Sequence, residues 1–79
     1  MIGCGVIATA LGLEVTDVYD GMWASRVGLE RGDLLLTVAG APLTLERDLI
    51  TVQRVINPGQ ELTATWVRDR ELIEATQVL

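Results

Sequence analysis

The sequence predicts a small α+β domain, mainly β, with two helices. Short apolar, β-prone runs recur at residues 13–18, 34–38, 62–67 and 72–79, and the first three end in turns rich in glycine or charge. A helical period replaces this pattern in the segment after Thr44, where Leu45, Leu49, Val52 and Ile56 recur on one face. The 79 residues are 49% hydrophobic and 22% charged, which excludes a disordered chain and allows a single domain, residues 1–79, with a modest core.

Residues 21–43 organise the chain. Gly21 opens a turn after Asp20, residues 22–27 suit a short helix, and Gly28 stands where a helix ends in a left-handed residue. Gly32-Asp33 turns the chain into the run 34–38. Gly40 stops that run, and Pro42 confines the next residues to an edge or a turn. Thr44 is placed to cap a helix from Leu45 to about Ile56. Glu46, Ile50 and Gln53 lie roughly 90 degrees around that helix from its core stripe, at ~100 degrees per residue. Asn57-Pro58-Gly59 ends the helix. Leu62, Ala64 and Trp66 then alternate with Thr63, Thr65 and Val67, as a strand with one buried face should. Residues 68–71 read as a polar hairpin connection, and residues 72–79 return as the last strand.

Composition excludes several functions. The formal charge is −5, with eleven acids against six Arg, the reverse of the basic surface that nucleic acid demands. There is no His and a single Cys, so no internal disulfide, no His-based metal site and no Ser-His-Asp or Cys-His nucleophile can be assembled. No cofactor, metal or catalytic residue is expected, and the segment reads as non-enzymatic. Residues 1–13 are apolar, but a membrane span takes roughly 20 such residues, and Glu14 interrupts the run. The basic start of a signal peptide is missing, so the domain reads as cut from a longer protein, without direct membrane insertion by this segment. Gly3-x-Gly5-x-x-Ala8 looks like a dinucleotide fingerprint, yet only two residues precede it, too few for the strand that the motif requires.

The central block resembles bacterial PDZ domains, whose pattern is roughly Gly-Ser-Pro-Ala-x-x-Ala-Gly-Leu-x-x-Gly-Asp-x-Ile-x-x-Val-x-Gly. Gly21, Ala24, Gly28, Leu29, Gly32, Asp33, Val38 and Gly40 fall in register with it without a gap. Met22 and Trp23 replace Ser-Pro, Val27 replaces Ala, and Ala39 replaces the usual Asn or Asp. The resemblance implies a partly open barrel of five or six antiparallel strands with two helices, in the circularly permuted order of bacterial envelope members. It further implies a module that captures peptide or protein C-termini, found in HtrA-like serine proteases, site-2 and C-terminal processing proteases and secretion-system components. The same likeness implies a bacterial envelope, periplasmic setting, and an alternative role as a structural or oligomerisation module with a closed groove.

The resemblance also suggests a site. A glycine-containing loop would receive the ligand's carboxylate on backbone N–H groups, which small residues allow to converge. Gly3, Cys4, Gly5 and Val6 are its counterpart here, and Leu11-Gly12-Leu13 is a rival placement. Val6, Ile7, Ala8 and Thr9 would form the strand that pairs with the ligand. Leu49, Ile50, Gln53 and Arg54 would line the groove from the helix opposite, with Ile50 walling the pocket for the ligand's last side chain. Trp23 is expected to lie partly buried over the sheet, and Cys4 to be a small buried hydrophobe.

Overall fold

Alternating side chains build most of this domain, because each strand has an apolar face to bury. The computed structural model describes residues 2–79. Its elements in order are β1 (Cys4–Thr9), β2 (Gly12–Val18), α1 (Trp23–Val27), β3 (Leu34–Val38), β4 (Ala41–Pro42), α2 (Glu46–Val55), β5 (Glu61–Arg68) and β6 (Glu71–Val78). One antiparallel sheet of six strands runs β1-β2-β3-β5-β6, and β4 pairs with β3 beside that path. The expected α+β architecture of strands and two helices is therefore present. β1 and β6 end the path, so the sheet stays open.

The inward residues of the strands meet in one core. Leu13, Val15, Leu35, Val38, Leu62, Ala64 and Trp66 come from the sheet, Trp23, Ala24 and Val27 from α1, and Leu49 and Val52 from α2. Trp23 is more deeply placed than the sequence suggests. It is 1% exposed, because its indole N–H reaches the Gln77 carbonyl of β6 at 2.9 Å and satisfies the polar end of the ring. Trp66 is equally buried, but its Nε1 has no hydrogen-bond partner among the described residues.

Asp33, 2% exposed, is the buried polar residue at the centre of the packing. Arg68 donates to both of its oxygens, Nε to Oδ1 at 2.8 Å and Nη2 to Oδ2 at 2.7 Å. The Glu30 backbone N–H adds a third donor at 2.7 Å. Arg68 also reaches the Gly28 carbonyl at 2.9 Å and Glu30 at 3.0 Å, and its Cζ lies 5.9 Å from the centre of the Trp66 ring. The hydrogen bond to the Asp33 carboxylate raises the Arg68 guanidinium above its already high ordinary range, so its positive charge is a fixed feature of the fold.

Three elements differ from the sequence reading. β1 begins at Cys4, not at Val6, so Cys4, Gly5 and Val6 lie within a strand and form no loop. α2 begins at Glu46 with Leu45 as its N-cap, so Leu45 leaves the core stripe and is 43% exposed. Thr44 is not the cap. The work is done from inside the helix, where Asp48 Oδ2 accepts the N–H groups of Thr44 and Leu45, both at 2.9 Å, and the Thr44 hydroxyl at 3.1 Å. The β5–β6 connection is also tighter than expected. Arg68 pairs directly with Glu71, and Asp69 and Arg70 form the two-residue turn with φ of 51° and 66°, the left-handed values that such hairpins require.

This packing leads to three expected outcomes. Arg68→Met leaves the buried Asp33 carboxylate without its counter-charge and should lower unfolding free energy by about 3 kcal/mol in urea titration. Trp66→Phe removes an orphaned donor along with some packing, whereas Trp23→Phe breaks a satisfied bond. The first should therefore cost about 1 kcal/mol less than the second in the same assay. Its three donors hold the Asp48 carboxylate below the ordinary value of 3.8, so its capping contribution is complete above that value. That contribution is lost as pH falls from 3.8 through the lower folded value. Protection factors at the Thr44 and Leu45 amides, exchange corrected for the intrinsic rate at each pH, should fall over that range, and Asp48→Asn should abolish that fall.

Candidate functional site

The two sheet edges are not equivalent. α1 lies against β6, where Trp23 Nε1 donates to the Gln77 carbonyl and Arg26 Nη2 donates to the Val78 carbonyl at 2.8 Å. Glu71 and Glu74 place charge along the rest of that edge, a common defence against strand pairing. β1 has no such cover. Tyr19 N–H donates to the Gly3 carbonyl at 2.9 Å, and Thr9 pairs with Gly12 at the hairpin end, so alternate residues of β1 turn their main-chain groups towards β2. Cys4, Val6 and Ala8 consequently direct theirs to the open edge.

α2 faces this edge and packs on β1. Gln53 fixes which flank of the helix is involved, because its Oε1 accepts the Ile2 N–H at 3.0 Å. Ile50 is one turn away on the same flank and half exposed, while Leu49 is buried beneath it. Arg54 is exposed and makes no side-chain hydrogen bond or ion pair among the described residues. The structure thus brings Cys4, Gly5, Val6, Ile7, Ala8 and Thr9 into one edge strand and sets Leu49, Ile50 and Gln53 opposite. Arg54 follows Ile50 by four residues on α2 and so stands on the exposed side of the same flank. Ile7 and Thr9 alternate to the opposite face from Val6 and Ala8, and Gly5 shares that outer face beside Thr16 and Asp17.

The start of β1 is held tightly. Ile2 is fully buried, and its carbonyl accepts the Ala24 N–H at 2.9 Å. Gly3 has φ of 89°, and a Cβ there would stand 2.4 Å from Met22 Cβ, so backbone freedom and close approach both require glycine. Cys4 packs against the core, and burial pushes its thiol up to about 11, which leaves it protonated and unreactive at neutral pH. Ile2 and Met22 were not singled out in the sequence. The available signal was the apolar residue directly before Gly3, and it was masked by the stronger glycine pattern beside it. A cleft of about 310 Å³ opens beyond Gln53, between the start of α1 and the end of α2, and Met22 and Ile56 line it with Gln53.

No group of three or more metal-ligating side chains occurs among the described residues, and no helix there is long and apolar enough to cross a membrane. No curated protein matches the chain. Solved structures do. An HtrA-type protease, AlgW carrying S227A and solved with a decapeptide, superposes with a TM-score of 0.91 at 23% identity. The match covers 99% of this chain and 27% of that one, so this chain spans about a quarter of that protease. The HtrA3 PDZ domain bound to a phage-derived ligand, FGRWV, gives 0.78 at 21% identity, covering 100% of this chain and 86% of that one. The PDZ domain of EpsC from Vibrio cholerae, residues 219–305, gives 0.71 at 20% identity, with 99% and 95% covered. At these identities the likeness carries the fold. The sequence profile of the PDZ domain matches residues 14–68, from β2 through the end of β5, and the chain belongs to that family of non-catalytic interaction modules.

Proposed function

We propose that the domain captures C-terminal or extended peptide segments by strand addition at the open edge of β1. In this reading it recruits substrate or partner to a parent protein such as an envelope protease, in a periplasmic setting. The observation that carries the reading is the asymmetry of the sheet. The last two carbonyls of β6 are taken by α1 and the rest of that edge carries Glu71 and Glu74, whereas Cys4, Val6 and Ala8 present unpaired main-chain groups beneath a flank of α2. Main-chain pairing supplies affinity that does not depend on ligand sequence, and contacts with the exposed Ile50 side chain supply selectivity. The ligand's carboxylate would be received by backbone N–H groups at the start of β1, within Gly3, Cys4, Gly5 and Val6. An acidic domain does not attract that anion over distance, so capture is short-ranged and of micromolar order, about −8 kcal/mol. The peptides named with AlgW and the HtrA3 PDZ domain support the same reading.

A second reading, a structural module whose groove is closed, is favoured by one observation. The Ile2 N–H at the head of the edge is already occupied by Gln53. An amide-shift titration with a pool of random peptides bearing free C-terminal carboxylates, against the same pool amidated, separates the two. Capture predicts shifts at Gly3 through Thr9 and at Ile50 and Gln53 that vanish on amidation. Absence of shifts at millimolar peptide would sink it in favour of the structural module.

A further inference from the structure

We propose that Gln53 is a displaceable latch that sets the affinity of the β1 edge for carboxylates. The inference rests on the peptide-capture reading above. Within β1 the outward-facing main-chain groups recur at every second residue, Cys4, Val6 and Ala8, and Ile2 precedes the strand across Gly3, whose left-handed φ of 89° turns the chain there. The Ile2 N–H is bonded to a side chain from another element, Gln53 Oε1 at 3.0 Å, fifty-one residues away in sequence. The amide oxygen thus occupies the backbone donor that stands just before the open edge. It is a neutral acceptor, and a carboxylate oxygen forms a charge-assisted bond about twice as strong, so an anionic terminus outcompetes it. Gln53 also borders open space, the cleft of about 310 Å³ beside the end of α2. Ile2 itself stays anchored through its buried side chain and the Ala24 N–H on its carbonyl, so release frees a donor and leaves the strand in place.

A latch requires that removing Gln53 tighten binding, whereas a ligand contact or a tie that organises the site requires the reverse. The test is titration of the wild type, Gln53→Met, Gln53→Ala and Gln53→Glu with the free-carboxylate peptide pool, reading apparent Kd from amide shifts. Gln53→Met keeps the length of the side chain and Gln53→Ala removes it, which separates lost packing from the lost bond. Both should bind about fivefold tighter, the equivalent of one net neutral hydrogen bond. Gln53→Glu, which puts a charged oxygen on the same donor, should bind about tenfold weaker. Tighter binding by Gln53→Met, or binding by that variant where the wild type shows none, supports the latch. Equal or weaker binding by Gln53→Met while the wild type binds overturns the latch and leaves peptide capture standing. Absence of binding by wild type, Gln53→Met and Gln53→Ala alike overturns both.

Discussion

Asp33 is a buried carboxylate at the junction of four elements, and the rest of the fold is arranged so that it is never unpaired. Its side chain accepts from Arg68 on β5 and from the Glu30 N–H in the loop after α1. Its own carbonyl accepts the Val15 N–H of β2, and the Gly32 N–H beside it donates to the Val15 carbonyl. The same guanidinium closes onto the Gly28 carbonyl at the end of α1. The ion pair therefore ties β5 to the turn before β3 and to the end of α1, and backbone bonds join that turn to β2. An unpaired charge at this depth would cost more than a domain of this size can spare, so the arrangement tolerates little slippage.

That rigidity has a functional consequence. With α1 locked against the centre of the domain, Trp23 and Arg26 are delivered to the carbonyls of β6, and one sheet edge is closed. The remaining edge, β1, lies under α2, a helix bound to the body through Leu49 and Val52 and to the edge strand's start through Gln53. Charge on one edge and a helix over the other protect both from pairing with a second chain. The tension in this domain is that the head of the open edge is filled by its own side chain, so access and closure meet in one hydrogen bond.

Much of this was legible in the sequence, for reasons local in the chain. Period-two patterning marked the strands, and Gly28 marked the end of α1, where its left-handed φ of 104° terminates the helix. With no His and a lone Cys, the sequence has no Ser-His-Asp or Cys-His nucleophile and no His ligand to offer a metal. The eight in-register positions from Gly21 to Gly40 carried the family resemblance. The less legible features were boundaries. Leu45 looked like core because helical spacing admits it, yet the chain is not helical there, and the helix is capped by Asp48 reaching back. The glycines at positions 3 and 5 looked like a loop, but one answers to the Met22 side chain and the other lies inside β1 beside Thr16 and Asp17.

By itself, then, the sequence determined that this is a small, acidic, mainly β domain of recognisable pattern, because periodicity, turn residues and composition act within a few residues of one another. The tertiary structure alone decided that Ile2 meets Gln53 and that Trp23 reaches the carbonyl of Gln77. Those contacts join residues more than fifty positions apart, and nothing local to either partner encodes the meeting. Asp33 shows both sides of the division. Its place in the turn was readable from Gly32-Asp33, while its partner, Arg68, sat within what looked like a solvated hairpin connection until the sheet folded it inward.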